Sequence, residues 1–156
     1  MSDEQFMKEA IRLAIEGVKA GHGGPFGAVI VKDGEIIGRG QNRVIIDNDP
    51  TAHAEMVAIR EACRRLGHFQ LESCVVYASA EPCPMCLGAL YWARPSRIVF
   101  GSGREDAASI SFDDAFIYRE LDHHHSQRHI PTEQIMREEA LKAFQAWVEK
   151  EDKTRY

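Results

Sequence analysis

The sequence predicts an α/β fold, a three-layer α/β/α sandwich with a mixed sheet between helices. Two features lead there. Two short apolar runs flank Lys32-Asp33-Gly34, whose Asp-Gly pair suits the tight turn of an antiparallel hairpin. Beyond them, strand-like and helical patterns alternate, with helices of about 10 to 15 residues, and such alternation makes parallel neighbours.

Each element has its own grounds. From Met1 to Ala20, Phe6, Ala10, Leu13, Ala14, Gly17 and Val18 recur at helical spacing, with Ser2 or Asp3 as N-cap and Gly21 as stop. Gly27 to Val31 and Glu35 to Arg39 are the hairpin strands. A polar loop through Asp47-Asn48-Asp49-Pro50 leads into a second helix, where Met56, Ile59, Cys63 and Leu66 fall three or four apart before Gly67 ends it. Cys74 to Ala78 is a β-branched strand, Pro84 to Trp92 a third helix and Arg97 to Gly101 a fourth strand. Two further helices are expected, from Phe112 to Leu121 and from about Thr132 to Lys150. Between them lies His123-His124-His125-Ser126-Gln127-Arg128-His129, read as a solvated loop. No repeat or low-complexity stretch divides the chain, so residues 1–156 read as one domain.

Composition narrows the function. At 156 residues, 44% hydrophobic and 28% charged, the chain can bury one real core. Its net charge of −5 and pI of about 5.8 give no basic field for a phosphate backbone, which disfavours a nucleic-acid substrate. The start Met1-Ser2-Asp3-Glu4 is acidic, and no run of about 18 apolar residues occurs, so a cytoplasmic protein without membrane attachment is expected. Of the four cysteines, Cys83 and Cys86 carry metal-ligand spacing, leaving Cys63 and Cys74 as expected buried thiols.

The chemistry concentrates in His53-Ala54-Glu55 and, 27 positions after the glutamate, Pro82-Cys83-Pro84-Met85-Cys86. His53, Cys83 and Cys86 supply three zinc ligands, one fewer than a closed structural site, which leaves a position for water. Cys83 and Cys86 lie on one face of a helical turn whose first position suits Pro84, at the helix end that favours thiolate. His53 and Glu55 begin another helix, so the longer glutamate can reach the water while the histidine holds the metal. H-x-E followed by P-C-x-x-C is the known signature of zinc-dependent nucleobase deaminases, in which water attacks the ring carbon bearing an amine and the glutamate moves protons. The reading of another class is a structural zinc module, with Cys63, Cys74 or a histidine as fourth ligand and Glu55 only a helix-dipole partner.

On these motifs the chain resembles the cytidine and deoxycytidylate deaminase superfamily, and within it the bacterial guanine deaminases. The likeness includes Gly24-Pro25-Phe26-Gly27-Ala28-Val29-Ile30-Val31, Asn48-Asp49-Pro50-Thr51-Ala52-His53-Ala54-Glu55 and Ala89-Leu90-Tyr91-Trp92-Ala93-Arg94-Pro95. The first two stretches also resemble tRNA adenosine deaminases. Phe112-Asp113-Asp114-Ala115-Phe116-Ile117-Tyr118, Phe144-Gln145-Ala146-Trp147 and the terminal Tyr156 resemble guanine deaminases. The resemblance implies a five-stranded mixed sheet, one Zn2+ per subunit, and deamination of guanine to xanthine and ammonia. It places Asn42 on the imidazole side of the purine, Phe26 and Trp92 on its ring, and Ala54 among the substrate-binding residues. It also implies a homodimer in which about residues 132–156 are exchanged, setting Tyr156 of one subunit over the active site of the other.

Chemistry adds a weaker argument for the same base. Guanine offers N1–H and its 2-amino group as donors, and one carboxylate accepts both, with Asp114 the first candidate and Asp113 the second. The alternative is that these aspartates only begin a helix. Related deaminations, of tRNA adenosine, cytosine or another purine, stay open, although the last 25 residues form no basic platform for an RNA stem.

Overall fold

Ser2 starts the first helix as the sequence predicts. Its hydroxyl accepts from the Gln5 N–H and the Gln5 side chain accepts from the Ser2 N–H, a reciprocal cap. The computed structural model describes residues 1–156 and divides into two units, Met1–Asp114 and Ala115–Tyr156. The first contains α1 (Asp3–Lys19), β1 (Gly27–Lys32), β2 (Glu35–Gln41), α2 (Val44–Asp47), α3 (Ala54–Leu66), β3 (Cys74–Ala80), α4 (Pro84–Ala93), β4 (Arg97–Ser102) and α5 (Arg104–Ser109). The second contains α6 (Ala115–Asp122), a 3-10 turn at His125–Gln127 and α7 (Arg137–Glu149).

The hairpin forms at Asp33-Gly34. Both residues have positive φ, 50° and 79°, the conformation of a type I′ turn, and the glycine takes the second position without a Cβ penalty. The sheet order is β2-β1-β3-β4, with β1 antiparallel to both β2 and β3, and β3 parallel to β4. The sheet is therefore mixed, as expected, with a different balance: only one neighbouring pair is parallel. β2 and β3 run the same way around α3, but β1 lies between them.

The strand count corrects the expectation of five. Four strands form, and the chain that follows β4 turns at once into α5, because Gly103 donates its N–H to the Asp106 carboxylate at 2.9 Å and caps a helix there. α7 begins at Arg137 rather than near Thr132, since Met136 adopts a left-handed φ of 54° just before it.

Alternate residues of β1 feed the two faces of the sheet. Ala28 and Ile30 join Ala54, Ala58, Ala62, Leu71, Val76 and Leu90 in one buried cluster, whereas Val29 and Val31 pack with Phe6, Leu13 and Tyr77 in the other. α1 thus covers one face and α3 with α4 the other. The stripe on α3 differs from the one its larger side chains imply. Ala54, Ala58 and Ala62 are fully buried, while Ile59, Cys63 and Leu66 flank them. The reason is close approach: a Cβ at Gly40 would lie 2.1 Å from the Ala54 carbonyl oxygen, so an alanine stripe sits directly on a glycine-bearing strand.

No helix is long and apolar enough to cross a membrane. All four cysteines are free thiols, with Cys74 buried and Cys63 partly so.

Candidate active site

Strand direction sets the place of the site. Gly27 at the start of β1 pairs with Gln41 at the end of β2, so the C-terminal ends of β2, β3 and β4 open on the same edge as the N-terminal end of β1. Ligands in α/β sheets gather at such an edge. Asn42 follows β2, Cys83 follows β3 and Arg104 follows β4.

His53 and Cys83 are the N-cap residues of α3 and α4, and neither side chain caps its own helix. Both are turned to each other instead. His53 Nδ1 lies 3.5 Å from Cys83 Sγ and 3.5 Å from Cys86 Sγ. All three donor atoms fall within 4.8 Å of one another, and neither Cys63 nor Cys74 joins the group. Ligands held about 2.0 to 2.3 Å from a tetrahedral zinc ion stand roughly 3.5 Å apart, so the donor set and its spacing fit zinc. Three protein donors leave the fourth position open. The structural module, which needs a fourth protein ligand, does not fit this arrangement.

A hydrogen bond from Cys86 and the neighbouring His53 hold the Cys83 thiol down to about 4, against the cost of burial. The Cys83 sulfur in turn pushes Cys86 up, and burial adds to the shift. His53 is raised mainly by its hydrogen bond to Cys83. Two helix N-termini meeting at one point favour the negative charge this arrangement carries.

Glu55 is one of only two buried polar or charged side chains, at 7% exposure. Burial raises its carboxyl above the ordinary range, opposed by hydrogen bonds from its own N–H and from Cys86. A proton-transferring carboxylate beside a metal centre needs this environment. The structure therefore brings His53, Glu55, Cys83 and Cys86 into one place.

The other buried polar residue is Asn42, at 5% exposure. Its N–H donates to the Phe26 carbonyl at 3.0 Å, and its Oδ1 accepts from the Val44 N–H at 3.0 Å. One residue on, the Arg43 N–H donates to the Ala52 carbonyl at 2.9 Å, which ties this segment to the approach to His53. Ala54 is fully buried, so what it can offer a ligand is its N–H, a free donor in the first turn of α3.

Phe26 meets Phe112 edge to face, with ring centroids 5.0 Å apart, which draws the 112–114 segment alongside Phe26 and Asn42. The sequence places Phe112 at the start of a helix and in the stretch resembling guanine deaminases but not in the site; the helix begins only at Ala115, which leaves Phe112 in the turn before it. The Asp114 side chain is 19% exposed and stands 3.6 Å from Arg104 Nε. Trp92 and Tyr156 are mostly exposed in the single chain.

Residues 1–102 match the family model of the cytidine and deoxycytidylate deaminase zinc-binding region. The chain is 58% identical over 147 residues to the guanine deaminase of Bacillus subtilis, covering 94% of each protein. The crystal structure of guanine deaminase from that organism superposes with a TM-score of 0.97 at 56% identity, across 100% of this chain and 99% of the other. The tRNA-specific adenosine deaminase of Aquifex aeolicus is 48% identical, over only 102 residues, 65% of this chain and 67% of the relative. The likeness to it covers only part of the chain, whereas the likeness to the Bacillus subtilis protein continues through the segment carrying Asp114 and on toward the C-terminus. By its family match and by the zinc-ligand geometry that explains it, the chain belongs to the cytidine and deoxycytidylate deaminase family of zinc-dependent hydrolases.

Proposed function

We propose that this protein is a guanine deaminase, converting guanine and water to xanthine and ammonia. The observation that carries the reading is the likeness to the Bacillus subtilis enzyme through 94% of both chains, joined to an open three-ligand centre with a buried carboxylate beside it. Zinc, when held by His53, Cys83 and Cys86, supplies a Lewis acid that makes water nucleophilic near neutral pH. Glu55 takes a proton from the attacking water and gives it to the ring nitrogen next to the attacked carbon, and then passes the proton of the newly added hydroxyl to the amine, which leaves as ammonia as the carbonyl forms. The Asp114 carboxylate accepts from N1–H and the 2-amino group, and the Asn42 amide nitrogen donates to an acceptor on the imidazole side. The Ala54 N–H contributes a further donor, and Phe26 and Trp92 pack on the ring.

The working form in this proposal is a homodimer that exchanges about residues 132–156, so that Tyr156 covers the active site of the second subunit. Support comes from the apolar side chains this segment leaves uncovered in the single chain, including Ile135, Phe144 and Val148. A cytoplasmic location fits Cys63 and Cys74, unbridged thiols outside the zinc centre, which a reducing compartment preserves.

Ammonia release from guanine, guanosine, cytosine, adenine and an adenosine-bearing RNA stem-loop, measured in parallel on zinc-loaded protein, tests the substrate. Selective release from guanine is expected. Preference for another of the five would retain the zinc centre and refute the pocket.

A further inference from the structure

Arg104 stands beside Asp114, and the chain is folded so as to place it there. β4 ends at Ser102, the Gly103 N–H is capped by Asp106 at 2.9 Å, and Arg104 becomes the first residue of α5. After α5 the chain turns back. Ser111 takes a left-handed φ of 75°, and the Phe112 N–H donates to the Ala107 carbonyl at 3.0 Å. The turn brings Asp114 back to the start of the helix, with Asp114 Oδ1 3.6 Å from Arg104 Nε.

That separation is significant. At 3.6 Å the pair is within ion-pair range but beyond hydrogen-bond length, so this contact adds positive charge without occupying a lone pair of the carboxylate. A carboxylate that must accept two donors from a base needs both oxygens available. It must also give up water as the base binds, and an adjacent guanidinium offsets that loss.

We propose that Arg104 is the positioning residue for substrate recognition: its positive charge beside the Asp114 carboxylate offsets the water that the carboxylate gives up when it takes the paired donors of the base, without touching the substrate itself. The proposal rests on the reading of Asp114 as the acceptor for guanine. It makes Arg104 a determinant of affinity for the base and leaves proton transfer at Glu55 unaffected.

The test is a double-mutant cycle on the zinc-loaded full chain, reading kcat and KM for guanine together with zinc content. Arg104→Ala is expected to raise KM roughly five- to tenfold, the scale of one partly buried ion pair, with kcat changed less than about twofold and zinc retained. Arg104→Lys should recover most of the loss. With Asp114→Asn already in place, Arg104→Ala should change KM by less than about twofold, because the charge it served is gone. The inference is overturned if Asp114→Asn raises KM while Arg104→Ala does not, or if Arg104→Ala has the same effect in both backgrounds. Should Asp114→Asn itself leave KM unchanged, the reading of Asp114 as the base's acceptor fails first and takes the role of Arg104 with it.

Discussion

Glu55 gives the account its sharpest consequence at the scale of single residues. Its carboxyl is buried and raised by burial, yet it is not one of the three clustered metal donors. Glu55→Gln keeps the shape and removes the proton transfer, so kcat should fall at least about 100-fold while zinc content stays the same, measured by metal analysis beside ammonia release. Cys86→Ala should do the opposite to the metal, lowering zinc content from about one ion per chain to a small fraction and abolishing turnover with it. These four residues were legible in the sequence because short covalent spacings place them: a histidine two positions from a glutamate, and two cysteines three apart after a proline. Asn42 was legible only through resemblance, and Asp114 through resemblance with a weaker argument from the paired donors of guanine. Nothing local distinguishes Asn42, whose orientation comes from bonds to Val44 and Phe26, and Arg104 emerges only because the chain turns back at Ser111.

Among elements, α3 and β2 carry the tightest constraint. Gly40 lets the first turn of α3, the turn that carries Glu55 and follows His53, lie directly on the sheet. Gly40→Ala should cost about 1 to 3 kcal/mol in urea unfolding, the range for overpacking, and weaken zinc retention in a chelator challenge because the helix that follows His53 must lift. Gly88, on α4, has open space where a Cβ would go, so Gly88→Ala should leave both measurements nearly unchanged or slightly stabilise the fold. The longer elements were legible from periodicity and turn chemistry. α2 and α5 were not, since helices of four and six residues are too short to show an apolar period. The face of α3 was legible in part: Ile59, Cys63 and Leu66 pack against the core, while contact with a glycine-bearing strand puts alanines at its centre.

Across the whole molecule, strand order decides function. Placing β1 between β2 and β3 lets two parallel-running strands deliver Asn42 and Cys83 to the same edge, and no window of sequence displays that order. The same long-range folding ties α1 to the far side of the sheet. Asp3 accepts from Arg97 Nη1 at 3.1 Å and from the Tyr77 hydroxyl at 2.6 Å, and these bonds, Arg97 first, hold its carboxyl below the ordinary 3.8. A carboxyl lowered in the folded state stabilises the fold above the unfolded value, and that contribution disappears as pH falls through the folded value. Melting temperatures of the native chain and Asp3→Asn should therefore differ at neutral pH and converge only as pH falls below the ordinary 3.8 and through the lowered folded value. Equal melting temperatures at pH 7 would contradict the role given to this network. The proposed exchange of the C-terminal segment makes its own prediction. Deleting residues 152–156 should depress guanine turnover far more than zinc content.

The central claim is that an open zinc site with Glu55 as proton carrier hydrolyses guanine. The measurement that tests it most directly follows guanine conversion by zinc-loaded protein, quantifying xanthine and ammonia together, with Glu55→Gln at equal zinc occupancy as the control. One xanthine and one ammonia for each guanine consumed, lost in the variant, is the predicted result. Fully zinc-loaded native protein that forms no xanthine, or a Glu55→Gln variant that turns over as fast as the native chain, would contradict it.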